Sequence, residues 1–294
     1  VTGGNRGIGF AVVKELCQKF RGTVYLTARD VTRGQNAVKE LEEQGLRPKF
    51  HQLDVTDEDS IRTFRQYLSG KYMGVDILVN NAGIAFKVSA EEGFYRQAIY
   101  TLDVNYFGLR EVCKSLYPLL NPHARVVHVS SSCGRLSLIP KESLRTKFSN
   151  PNLTESQLDD LLNEFLELKK HSQEGWPNCA YIVSKIGVGA LTEIQQRLFD
   201  DKHVLQFDIA INSVYPGYVQ TNMTDYNGIL LPEHAAEVIA YAALLPENTE
   251  IKGKRVNLSG STKKWRYGQS LHLKYNILNI WFKKICFIYI FCMH

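Results

Sequence analysis

The chain has 294 residues, 44% of them hydrophobic and 22% charged, which suits one large α/β domain or two small ones with a sizeable buried core, so the chain need not be disordered. Lysine and arginine exceed aspartate and glutamate by five, but the excess is local: residues 261–294 hold Lys263, Lys264, Arg266, Lys274, Lys283 and Lys284 and no carboxylate. The rest is close to neutral, which excludes a nucleic-acid grip, because that needs a basic stripe on the folded surface.

The chain opens at Val1, already inside a glycine-rich pattern and without an initiator Met, so part of the N-terminus, with any targeting signal, is expected to precede it. Short apolar runs then alternate with helical patterns. The strand candidates are Thr23–Ala28, Pro48–Leu53, Val75–Asn80, Ala124–Ser130, Phe207–Val214 and Lys252–Leu258. Between them, Phe10, Val13, Leu16 and Phe20 recur at helical spacing, as do Ile61, Phe64 and Leu68. This alternation predicts a Rossmann-like α/β fold, a doubly wound parallel sheet covered on both faces, in one domain over residues 1–260.

Two segments break the rhythm. Residues 138–178 are too long for a simple connection. Within them Thr154 and Gln157 form a capping-box pattern, Leu153 and Leu158 are placed as a hydrophobic staple, and Leu158, Leu161, Leu162, Phe165 and Leu168 make one apolar stripe. This is an inserted helix with a surface to cover. Residues 261–294 form a tail that does not continue the pattern. From residue 266 it is rich in Ile, Asn, Lys, Phe and Tyr, yet its longest apolar run, Ile285–Met293, is too short to span a bilayer. A membrane-surface segment and translated non-coding sequence are both left open. The six cysteines, Cys17, Cys113, Cys133, Cys179, Cys286 and Cys292, form no CxxC pair and no metal-ligand spacing, as expected of reduced thiols in a cytoplasmic protein without structural zinc.

Chemistry enters at Thr2-Gly3-Gly4-Asn5-Arg6-Gly7-Ile8-Gly9, which leads straight into the first helix. A dinucleotide's pyrophosphate must approach N–H groups at a helix N-terminus, and side chains at Gly3, Gly7 and Gly9 would block it. At the end of the next strand, Ala28 takes the position where an acidic residue would grip the ribose 2′-hydroxyl of NAD. Arg29 follows, and with Arg6 it offers two guanidiniums to the 2′-phosphate of NADP. Asp30 as the ribose ligand is the alternative. Further on, Tyr181 and Lys185 share a helix face at i, i+4, where a cation lowers a phenol's pKa and lets it exchange a proton with a carbonyl oxygen. The same spacing occurs at Tyr67 and Lys71. Context favours Tyr181, whose helix follows a strand ending in Ser130-Ser131-Ser132, and in parallel sheets sites lie at the carboxyl ends of strands.

The glycine loop, Asn80-Asn81-Ala82-Gly83, Asn105, Ser131, Tyr181 with Lys185, and Pro216-Gly217 together resemble the short-chain dehydrogenase/reductase family, over Val1 to about residue 258. Within it the chain is most similar to the monomeric NADPH-dependent carbonyl reductases, through Leu26–Gln35, Asn80–Val88, Glu174-Gly175-Trp176-Pro177 and the long insertion. The resemblance implies Tyr181 as proton donor, with Lys185 lowering its pKa and holding the nicotinamide ribose. Ser131 would polarise the carbonyl and Asn105 would hold a relay water. For NADP(H) it implies the glycine loop with Asn5 and Ile8, Asp54 and Val55 at the adenine, Asn81 at the adenosine ribose, and Pro216, Gly217, Val219 and Thr221 at the nicotinamide end. Tyr218 would line the substrate pocket, and Phe86, Lys87, Val88 and Gln97 match positions that hold a glutathione moiety.

The activity implied is NADPH-dependent reduction of aldehydes, ketones and quinones. An NADP-dependent dehydrogenase of one steroid or prostaglandin-like alcohol, and a catalytically idle NADPH-binding protein, are the alternatives. No metal is implied. Helices beside the active site pair family oligomers, so a stripe laid over them would give a monomer. The chain departs from the family pattern at the central first strand, of which only Val1 is present, and at Tyr215 beside the Pro-Gly turn, where relatives often carry cysteine or tryptophan.

Overall fold

A computed structural model of the chain describes residues 1–87, 90–167, 171–201 and 207–265. Val88, Leu168 and the tail from residue 266, with the alternatives left open for it, lie outside the described residues.

The strands are β1 (Tyr25–Ala28), β2 (Lys49–Gln52), β3 (Val75–Asn80), β4 (Leu120–Val129), β5 (Ala210–Val214), β6 (Arg255–Val256) and β7 (Thr262–Lys263). The helices are α1 (Gly7–Lys19), α2 (Val31–Glu43), α3 (Glu58–Lys71), α4 (Phe94–Leu102), α5 (Leu109–Leu116), α6 (Glu142–Ser149), α7 (Glu155–Glu167), α8 (Ala180–Phe199) and α9 (Pro232–Ala243). β1 and β2 pair in parallel as one sheet, and β3-β4-β5-β6-β7 form a second, parallel except for the last pair. Val1–Gly4 lies between the two sheets, where the family's first strand was expected. Thr27 N donates to Val1 O at 3.1 Å on one side and Thr2 N to Val79 O at 2.9 Å on the other.

Alternation along the strands separates two cores. Leu78, Val126 and Ile211 face one layer with α3, α5, α7 and α8. Val79, Val127 and Val214 face the other with α1 and α9. Several strands are shorter than expected because the backbone turns: Asp208 and Gly253 have φ of 49° and 62°, so β5 and β6 begin after them. β4 is longer, starting at Leu120. The fold also runs past residue 260: β7 pairs with β6, and Trp265 is buried with its indole N–H on Gly134 O at 2.6 Å.

The inserted helix has the expected start. Gln157 N donates to Thr154 Oγ1 at 3.2 Å, and Thr154 N to Gln157 Oε1 at 3.1 Å. The stripe residues Leu158, Leu161, Leu162 and Phe165 are buried. α7 lies on α8 and α4, and a β-carbon at Gly187 of α8 would meet both Leu162 and Tyr106 at 2.9 Å, so that glycine lets the insertion seat closely. Asp159 takes Tyr106 Oη at 2.8 Å and an ion pair from Arg110, while Arg197 of α8 donates to Pro151 O and Leu153 O. No described helix is long and apolar enough to cross a membrane.

Candidate active site

The glycine loop joins Val1 to α1 at the C-terminal ends of β1 and β3. Gly3 and Gly7 have φ of 62° and 53°, the left-handed region where a β-carbon is strained. Gly9 serves packing: a β-carbon there would lie 2.4 Å from both Gly3 O and Asn81 Nδ2. Asn81 fixes the loop from the far side, donating from Nδ2 to Thr2 O at 2.9 Å and Gly3 O at 3.1 Å. Thr2 Oγ1 accepts from Asn81 N and Ala82 N, each at 2.9 Å. Arg6 precedes α1 with extended backbone and no side-chain cap, so the helix presents its first N–H groups to an approaching anion. Asn5 and Ile8 are half-buried beside it, and Arg6 and Arg29 are exposed. Asp30 caps α2, accepting from Arg33 N at 2.8 Å and pairing with its guanidinium at 2.9 Å, while Ala28 is buried. Asp54 Oδ1 accepts from Thr56 N and Oγ1 at 3.0 and 2.8 Å, and Val55 is buried against the turn that carries Asn105.

Asn105 lies in a single π-helical turn, Asp103–Gly108, between α4 and α5. Its Oδ1 accepts from Ile84 N at 2.8 Å, and its Nδ2 donates to Ile84 O at 2.9 Å and Ser184 Oγ at 3.1 Å. The side chain thus clamps the loop after β3 to α8. Gly83 lies between Asn105 Oδ1 and Lys185 Nζ, its β-carbon position 3.3 Å from one and 3.8 Å from the other.

Ser131, at the end of β4, caps a short turn by accepting from Cys133 N at 3.1 Å, and its side chain is close enough to the Tyr181 hydroxyl to lower that phenol's pKa. Lys185 is buried, donates to Val129 O at 2.8 Å, and holds its Nζ 5.7 Å from the Tyr181 ring centre. Burial lowers the Lys185 pKa to about 8. The expected effect on Tyr181 is reversed. Burial, with the Cys133 thiol nearby, pushes the phenol well above its ordinary value, and only Ser131 opposes this. The other copy of the spacing does behave as expected: Lys71 Nζ donates to Tyr67 Oη at 2.8 Å and lowers that phenol's pKa. The two pairs differ because α3 ends in solvent, whereas the cation on α8 is turned to a main-chain oxygen.

After β5, Pro216 is buried and Gly217 has φ of 87°. Val219 bridges to Leu230, and Thr221 shares a capping box with Thr224 while its methyl lies 3.2 Å from a β-carbon position on Gly7, bringing this loop over the glycine loop. Tyr218 and Phe86 are half-buried. Lys87 forms an ion pair with Asp225, and Gln97 donates to Glu92 O at 2.6 Å, so both side chains are engaged within the chain. The sequence pattern did not single out Arg255, whose Nη2 donates to Ser131 O at 3.3 Å and whose guanidinium lies 5.7 Å from the Tyr215 ring centre. An arginine inside an otherwise core-like strand was the available signal.

A family model described as short chain dehydrogenase matches residues 1–142. The chain belongs to the short-chain dehydrogenase/reductase family. Carbonyl reductase 1 (NADPH) of Homo sapiens is 47% identical over 254 residues, 85% of this chain and 91% of its own length. Carbonyl reductase 3 (NADPH) of Mus musculus is 47% identical over 261 residues, 87% and 94% of the two lengths. Among solved structures, salutaridine reductase from Papaver somniferum superposes with a TM-score of 0.77 at 31% identity, covering 86% of this chain and 96% of that one.

Proposed function

We propose that the chain reduces carbonyl compounds, namely aldehydes, ketones and quinones, to alcohols with NADPH, Tyr181 giving the proton. The observation that carries this is the Tyr181 hydroxyl, kept protonated by burial and within reach of Ser131 at the C-terminal end of β4. A protonated phenol at neutral pH is the state a proton donor needs. The names of the relatives support both the cofactor and the direction of reaction.

The residues fit NADP(H). The uncapped start of α1 with Gly3 and Gly7 receives the pyrophosphate. Arg6 and Arg29, both exposed, hold the 2′-phosphate, and Asp30 is spent on capping α2. Asp54 and Val55 lie at the adenine end. Asn81 acts through the shape of the glycine loop, because its amide is already used on Thr2 and Gly3. Lys185 and the segment Pro216–Thr221 lie at the nicotinamide end. When bound, the cofactor supplies hydride to the carbonyl carbon. Ser131 orients the carbonyl oxygen and Tyr181 protonates it. Lys185, cationic below about pH 8, supplies positive charge at the nicotinamide end, 5.7 Å from the centre of the Tyr181 ring. Asn105 keeps Gly83 and α8 in register around that cation.

Oxidation of NADPH with a panel of quinones and aldehydes tests the reading. Tyr181→Phe is expected to lower kcat by about 100-fold or more while thermal unfolding stays near that of the parent. A variant as fast as the parent removes Tyr181 from the mechanism. We also infer a monomer, since α7 covers α8 and α4. A stable dimer by size-exclusion with light scattering would contradict it.

A further inference from the structure

Three cations gather at the C-terminal edge of the sheet behind Ser131. Arg255 is half-buried on β6, donates to Ser131 O at 3.3 Å, and lies 5.7 Å from the centre of the Tyr215 ring. Lys263 is its direct neighbour in the β6–β7 register, so the two side chains share a face, and like charges placed so oppose each other. Arg135 follows the turn that Ser131 caps, and is close enough to lower the Arg255 pKa together with burial. Among the described residues no carboxylate pairs with Arg255, and its only hydrogen bond to protein is the long one to Ser131 O. The remaining donors of its planar fork are not among the buried polar atoms that lack a partner, so they reach accessible space.

Such an arrangement calls for an anion. Arg255 and Lys263 stand side by side, which is unfavourable without a counter-ion, and the open donors of the Arg255 guanidinium match a carboxylate in a bidentate way. The same residue, Ser131, accepts from Arg255 through its main-chain oxygen and is close enough through its side chain to lower the Tyr181 pKa. The cationic group and the proton donor are therefore separated by about the width of one residue. Tyr215 is within electrostatic reach of both Tyr181 and Arg255.

We propose that Arg255, with Lys263 beside it, binds the anionic group of carbonyl substrates that carry a carboxylate about one aromatic ring away from the reacting C=O. This rests on the reductive reading above and names a substrate class for it. The test compares 4-carboxybenzaldehyde with benzaldehyde in the unaltered chain, Arg255→Gln and Arg255→Lys. The unaltered chain is expected to prefer the carboxylate in kcat/KM, and Arg255→Gln to lower the ratio of the two values by about tenfold or more, with Arg255→Lys in between. A ratio that does not change, or no preference in the unaltered chain, overturns the proposal.

A second readout needs no turnover. Calorimetric titration of the unaltered protein with benzoate and with benzamide is expected to show at least about tenfold tighter binding of benzoate, weakened in Arg255→Gln and by raised salt. Equal affinity for the two overturns the proposal even if Arg255→Gln does not fold. Benzoate bound selectively by a chain that reduces neither aldehyde supports the anion site and counts against the reductive reading instead.

Discussion

Lys185 directs its Nζ to the main-chain oxygen of Val129 at 2.8 Å and not to the hydroxyl of Tyr181, one helical turn before it. The helix therefore ties its cation to the end of β4, the strand that delivers Ser131. Because this ammonium is buried, its pKa falls to about 8.

Carbonyl reduction is then expected to depend on pH through Lys185. The cation is present below about pH 8 and disappears above it, so kcat/KM for the carbonyl is expected to fall as pH rises through that value. The effect on stability has the opposite sign. The folded pKa lies below the unfolded one, the unfolded chain binds more protons between about 8 and 10.5, and stability therefore rises with pH across that window. A pH–rate profile measured with NADPH and a quinone, beside Lys185→Met, checks the first. A rate that stays flat to about pH 10 would contradict it.

Arg29 and Arg6 should decide between the two nicotinamide cofactors. Each exposed guanidinium can give charge-assisted hydrogen bonds to a 2′-phosphate, about 1.5–3 kcal/mol apiece. Arg29→Asp is expected to reduce the NADPH-over-NADH preference in kcat/KM by about tenfold to a hundredfold. Equal use of NADH by the unaltered chain would undo the assignment.

A buried histidine should make the fold acid-sensitive. His128 of β4 is fully buried, with Nδ1 3.1 Å from Asn80 Nδ2 and Nε2 3.0 Å from Gln195 Oε1. Burial lowers its pKa to about 4 from 6.5. The unfolded chain binds the extra proton between those values, so stability is lost as pH falls from 6.5 to about 4, by about 3 kcal/mol in total. Urea unfolding across this range should show a shallower slope in His128→Asn. The same slope in both proteins would assign the acid sensitivity elsewhere.

Trp265 closes the core beside α8. A β-carbon at Gly189 would lie 2.1 Å from the Trp265 Nε1, so the glycine and the indole fit as one contact. Trp265→Ala is expected to cost about 3–5 kcal/mol. Ending the chain after residue 260 should destabilise it at least as much, whereas ending it after Trp265 should retain that contact. Thermal unfolding of the three proteins distinguishes these outcomes.

How much of this was legible beforehand depends on how far each effect reaches along the chain. The capping box of Thr154 and Gln157, the glycine loop opening α1 and the apolar runs of β3 and β4 are short-range features, and residues a few positions apart were enough to determine them. Family order then placed Ser131, Tyr181 and Lys185 at one edge of the sheet. The spacing of a phenol and a cation was equally clear at Tyr67–Lys71 and at Tyr181–Lys185. Which phenol the cation would acidify was decided only by tertiary structure, because desolvation and the alternative acceptor Val129 O come from residues more than fifty positions away. The same holds for Arg255 against Ser131 and for Trp265 against Gly189. Charge, burial and close packing depend on what the fold brings near, whereas helix caps and strand alternation depend on neighbours in sequence.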